Sequence, residues 1–183
     1  MKKGGIGGSK TAKNGHKYEK KVYYMYYLSK IDGYSIVAKD DNTEIYYNGN
    51  FLGLSIKKGQ IYKYLEKEKV DWKNIISKKL LPDEAILNVD YKTLYILEIK
   101  HQETEGSVDE KLQTCDFKRK QFQKLMSPLE IKVEYIYILN DWFKKDRYKD
   151  VKEYIKQVGC KFYFNSINPE DLNLPNSSIN NLK

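Results

Sequence analysis

Two acids and a lysine in this chain are spaced so that a pair of neighbouring strands would bring them together. They are Asp83 and, after fourteen intervening residues, Glu98 and Lys100. Around them two apolar runs, Leu80 to Leu87 and Thr93 to Lys100, are separated by Asn88-Val89-Asp90-Tyr91-Lys92, the pattern of a β-hairpin. In the second arm Leu94, Ile96, Glu98, Lys100 and Gln102 alternate with Tyr95, Leu97, Ile99 and His101, so the first set shares one face. With Asp90 and Tyr91 as a two-residue turn, Val89 pairs with Lys92, and the same register sets Asp83 opposite Glu98. Opposed carboxylates with Cβ atoms roughly 5 Å apart repel each other and destabilise a sheet. A divalent cation between them reverses the sign, and magnesium takes such hard oxygen ligands, completing its shell with water and phosphate. Lys100, one side chain further on, is then placed to hold an attacking water or to stabilise charge on a phosphate. On this reading, removing either acid from the metal-free protein relieves repulsion, and stability is expected to stay level or rise.

The remaining elements follow from periodicity. Tyr18, Val22, Met25 and Tyr26 recur at helical spacing between His16 and Lys30, with Glu19 beside that stripe and Asp32-Gly33 as the stop. Tyr34 to Ala38 reads as a short strand and Ile56 to Val70 as a basic, moderately helical stretch. Ser107-Val108-Asp109-Glu110 matches a capping box, and the helix it opens carries Leu112, Cys115, Phe122 and Leu125 and ends before Pro128. Val133 to Leu139 is apolar on both faces apart from Glu134, as a central strand would be. A helix bearing Tyr148, Val151, Ile155 and Val158 stops at Gly159, and Cys160 to Phe164 is a last strand. The expected fold is α/β, a mixed central sheet flanked by helices.

At 183 residues the chain suits one domain, expected over 15–165. Residues 1–14, MKKGGIGGSKTAKN, form a basic glycine and lysine arm, and 166–183 a polar tail. A net charge of +8 favours a polyanionic partner. No apolar run approaches membrane-spanning length and the N-terminus lacks the apolar core of a secretory signal, so a cytoplasmic location is expected. Cys115 and Cys160 are too few for a metal cluster and read as buried thiols. Lys2, Lys3, Lys10 and Lys13 in the arm are candidate DNA contacts, as is Lys111 near the capped helix start.

Pro82-Asp83, the fourteen-residue interval and Glu98-Ile99-Lys100 resemble the PD-(D/E)xK signature of the restriction-endonuclease-like superfamily. The order of elements from about Gly15 to Phe164 is similar as well, and the resemblance implies a core of αβββαβ order. The stretch from Lys100-His101-Gln102 to Leu112, with the start KKGGIGGSKT, looks most like Type II restriction endonucleases. The resemblance implies Asp83, Glu98 and Lys100 as catalytic residues, with Gln102 orienting the site and Glu19 as a further acid on the first helix. It implies Mg2+, with Mn2+ as a substitute, held by Asp83, Glu98, the Ile99 backbone carbonyl and, through water, Glu19. The implied activity is sequence-specific cleavage of double-stranded DNA leaving 5′-phosphates. One site per chain calls for a homodimer, and the sequence leaves open whether a companion DNA methyltransferase exists.

Each residue also has a plainer explanation. Asp83 suits a Pro-Asp turn, Glu98 with Lys100 a cross-strand salt bridge, and Glu19 a helix dipole. Ser107 and Glu110 suit cap chemistry. The same core would serve a structure-specific nuclease acting on Holliday junctions or damaged DNA, and the basic surface alone would serve a non-catalytic DNA-binding module.

Overall fold

The computed structural model describes residues 24–104 and 108–176. The predicted arm with Lys2, Lys3, Lys10 and Lys13, the acid Glu19, His16, and Ser107 of the predicted capping box lie outside the described residues. Over the described residues seven strands form one mixed sheet whose spatial order is the chain order. They are β1 (Tyr34–Ala38), β2 (Thr43–Tyr47), β3 (Asn50–Ile56), β4 (Glu84–Asn88), β5 (Thr93–Lys100), β6 (Lys132–Leu139) and β7 (Lys161–Phe164). The pairs from β1 to β5 are antiparallel, and β5, β6 and β7 run parallel. Parallel neighbours need a crossover. These are supplied by α3 (Val108–Leu112) with α4 (Cys115–Met126), and then by α5 (Lys149–Gln157). The expected mixed sheet flanked by helices is thus present. No described helix is long and apolar enough to cross a membrane.

Side-chain alternation divides the interior in two. One face, carrying Ala85, Leu87, Leu94, Ile96, Val133, Tyr135, Tyr137 and Leu139, is covered by α2 (Gln60–Lys67), α4 and α5. The other, carrying Ile45, Ile86, Tyr95, Leu97, Ile99, Ile136 and Ile138, is covered by α1 (Tyr24–Leu28) and by Ile167, Leu172 and Leu174. β6 is therefore buried on both sides, as its continuous apolar run predicts.

Three sequence expectations need correction. The stretch after 165 is not a loose polar tail as far as it is described. Ile167, Leu172 and Leu174 are buried, the Tyr34 hydroxyl donates to the Pro175 carbonyl, and Asn88 Nδ2 donates to the Leu172 and Asn173 carbonyls at 3.1 and 2.9 Å. Widely spaced apolar residues among asparagines carry no periodicity, so the packing was invisible. Second, the helix expected up to Pro128 breaks after Leu112. The Tyr137 hydroxyl donates to the Lys111 carbonyl at 3.0 Å and Thr114 Oγ1 donates to it at 2.8 Å, satisfying a helix end. Third, β2 and β3 were missed. They meet through Asn48-Gly49, with φ of 48° and 80°, a two-residue turn that pairs Tyr47 with Asn50. Gly53 then lets β3 lie close on β4, since a Cβ there would sit 1.8 Å from the Leu87 carbonyl oxygen.

Candidate active site

The β4–β5 register is the predicted one. Asn88 pairs with Thr93 and Glu84 with Leu97, and a turn closed by Lys92 N–H donating to the Val89 carbonyl at 3.2 Å joins the strands. One step beyond the last pair stands Asp83 against Glu98. Instead of extending the ladder through its backbone, Asp83 accepts the Ile99 N–H at Oδ2, 2.9 Å away. Its side chain is thereby fixed at the C-terminal end of β5. Glu98 and Lys100 continue the face that carries Leu94 and Ile96, beside Tyr137 and Leu139 of the same core.

Lys100 draws these groups together. Its Nζ lies 2.6 Å from Glu98 Oε2 and 3.6 Å from Asp83 Oδ2, and donates to the Ile99 carbonyl at 3.3 Å. Two carboxylates and one carbonyl, the three protein groups of the predicted metal site among the described residues, thus converge on one cationic centre. A second lysine arrives from α4, with Lys118 Nζ 3.4 Å from Glu98 Oε1. Both oxygens of Glu98, a residue only 5% exposed, are therefore engaged.

The electrostatics follow from this geometry. Burial pushes the Glu98 carboxyl up, but the charges and hydrogen bonds of Lys100 and Lys118 outweigh it and hold the group below the usual glutamate range. For Lys100 burial favours the neutral amine, yet Glu98 and Asp83 prevail and the ammonium is held above the usual lysine range. The expected apo-state repulsion between Asp83 and Glu98 is accordingly offset. Two acids face two ammonium groups, so removing an acid strands a lysine instead of relieving strain. Beside them the Tyr135 hydroxyl is buried, and burial together with the charge of Glu98 and a hydrogen bond to it raises its pKa far above the tyrosine range.

Gln102 is buried at the same strand end. Asn140, just after β6, clamps its backbone: Asn140 Oδ1 accepts the Gln102 N–H at 3.2 Å and Asn140 Nδ2 donates to the Gln102 carbonyl at 2.8 Å. The side-chain amide thus continues the parallel ladder where the backbone of β6 has turned away. Among the described residues neither amide heteroatom of Gln102 has a hydrogen-bond partner. Lys111 is exposed on α3, and its carbonyl accepts from Tyr137 and Thr114. Among the described residues no ion pair joins Lys111 to Asp83 or Glu98. The ends of β5, β6 and β7 align through Lys100, Leu139 and Phe164. Lys144 and Lys145 follow β6 at this edge, over Phe164 and Trp142 at 5.4 and 3.1 Å from the ring centroids. In open sheets the carboxyl ends of parallel strands are where ligands bind.

No family model, curated protein or solved structure matches this chain. The assignment of chemistry therefore rests on the residues themselves. The donor set is hard oxygen, two carboxylates and a carbonyl, which suits magnesium. Among the described residues no three acids, histidines or cysteines gather as a metal group.

Sequence reasoning missed Lys118 and Tyr135, and it read Asn140 as part of a segment that could reach DNA without foreseeing its clamp on Gln102. Only the packing of α4 and the pairing of β5 with β6 bring Lys118 and Tyr135 to Glu98 and Asn140 to Gln102, and no spacing within the chain encodes either. It also missed Glu84, which alternation sends to the opposite face from Asp83. Glu84 is buried, accepts the Ser55 hydroxyl at 2.7 Å and the Tyr24 N–H at 3.4 Å, and burial raises its pKa to about 7 despite Ser55, the Lys57 charge and the Tyr24 N–H. Two adjacent acids at a strand start, which must point to opposite faces, were the available signal.

Proposed function

We propose that this chain is a magnesium-dependent endonuclease of the PD-(D/E)xK kind, cutting double-stranded DNA at a specific sequence and leaving 5′-phosphate ends. The observation that carries the reading is the convergence of Asp83, Glu98 and the Ile99 carbonyl on the Lys100 ammonium. A cluster that surrounds an ammonium with oxygen ligands is already shaped for a small cation. The parallel continuation from β5 to β6 beneath α4 supports a restriction-endonuclease-like core.

In this account Asp83, Glu98 and the Ile99 carbonyl hold Mg2+, for which Mn2+ can substitute. Bound there, the metal supplies a Lewis acid for the scissile phosphate. The Ile99 N–H keeps the Asp83 carboxylate aimed at the β5 end. Lys100, released from its carboxylate partners, orients the attacking water and stabilises the added negative charge on phosphorus. The water oxygen bonds to phosphorus as the bond to the 3′ oxygen breaks, the phosphate stays on the 5′ side, and the water proton passes to solvent. Asn140, clamping the Gln102 backbone, holds the segment after Lys100 in place. Lysines along the strand-end edge neutralise neighbouring phosphates.

Incubating the full chain with unmethylated plasmid DNA and Mg2+ tests the reading. Discrete fragments that vanish when Mg2+ is chelated are expected. Cutting confined to branched substrates would replace the restriction role by a structure-specific one, and binding without cutting under any divalent metal would leave only a DNA-binding module.

A further inference from the structure

Glu98 has two oxygens, and the fold assigns a different lysine to each. Lys100 takes Oε2 at 2.6 Å from its own strand, and Lys118 takes Oε1 at 3.4 Å from α4. α4 is held on the sheet by Cys115, Phe122, Leu125 and Met126, all buried, so packing fixes where the Lys118 backbone stands relative to Glu98. Its side chain is 27% exposed against 6% for Glu98, so one end of the pair faces the protein and the other faces solvent.

We infer that Lys118 is a positioning residue of this centre, neutralising Glu98 in the metal-free protein and turning to a DNA phosphate once a divalent cation takes that carboxylate. The inference rests on the reading above. Its physical basis is charge balance. Asp83 and Glu98 against Lys100 and Lys118 sum to zero, so DNA approaching the metal-free site meets no net negative charge. A bound divalent cation leaves the cluster at about +2, with two ammonium groups no longer needed by the acids and a phosphodiester backbone as the natural counter-charge. The same lysine therefore opposes metal binding before DNA arrives and favours DNA afterwards.

Lys118→Met and Lys118→Arg separate these effects, with Glu98→Gln as the reference. Calorimetric titration of the DNA-free proteins with Mn2+ should show Lys118→Met binding about two- to fivefold more tightly than wild type, as expected when a competing ion pair of this exposure is lost. DNA affinity measured with Ca2+ in place of Mg2+ should fall in Lys118→Met. The slope of log K against log salt should drop by about one, and Lys118→Arg should restore it. Unchanged Mn2+ affinity together with an unchanged salt slope in Lys118→Met would overturn the inference. If Glu98→Gln still binds Mn2+ and cuts normally, the metal-site reading itself fails, a result distinguishable from the first.

Discussion

At the scale of single residues, the chemistry depends on Glu98 being charged in a place that is nearly dry. Lys100 and Lys118 make that possible, and this reverses the stability expected from the sequence alone. Glu98→Gln leaves Lys100, whose side chain is 16% exposed, facing only Asp83 and a carbonyl. Metal-free protein carrying this substitution should lose about 1–3 kcal/mol, read as a lower thermal midpoint. A midpoint equal to or above that of wild type would restore the repulsion picture. Because the folded Glu98 carboxyl titrates below the ordinary glutamate value of 4.5, its contribution is present above that pH and is lost as pH falls through the folded value. Lys100 behaves oppositely. Its stabilisation is present below 10.5 and is lost as pH rises through the raised folded value. Asp83, Glu98 and Lys100 were legible because strand alternation and a hairpin register are local rules. Lys118 was not, since it lies eighteen residues from Lys100 on a helix whose docking no local rule supplies.

At the scale of elements, β4 carries two acids with opposite tasks. Asp83, just before the strand, points to the site, while Glu84 is sealed under α1 with Ser55, Lys57 and Tyr24 around it. A carboxyl with a folded pKa of about 7 keeps its proton through mildly acidic pH, so the folded state binds more protons than the unfolded chain between about 4.5 and 7. Stability should therefore fall as pH rises through that window, by at most about 3 kcal/mol. Glu84→Gln should flatten the thermal midpoint between pH 5 and 8, and a wild-type midpoint that does not fall across this range would contradict it. Elements also show where sequence reading stops. The β4–β5 hairpin, β6, α5 and β7 were readable from apolar runs and stop residues. The β2–β3 hairpin had its signal in Asn48-Gly49, but its flanking residues are mostly half-buried at best and their alternation is blurred. The break between α3 and α4 depends on a hydroxyl from β6, a tertiary partner that no helix propensity foretells.

For the whole molecule, a basic chain carries the proposed cutting centre at the carboxyl ends of three parallel strands. One centre cuts one strand, so double-strand cleavage calls for two chains on a duplex, and two-fold symmetry would match a palindromic site. Sedimentation of the complex formed with Ca2+ should show two chains per duplex, whereas a monomeric complex that nicks a single strand would refute the dimer. The most direct test of the central claim is single-turnover cleavage of double-stranded DNA by Glu98→Gln, with Mg2+ present and enzyme in excess so that binding is saturated. The account predicts a loss of about a thousandfold or more in the cleavage rate while the DNA remains bound. Cutting at near the wild-type rate would contradict it and move the chemistry away from Asp83 and Glu98.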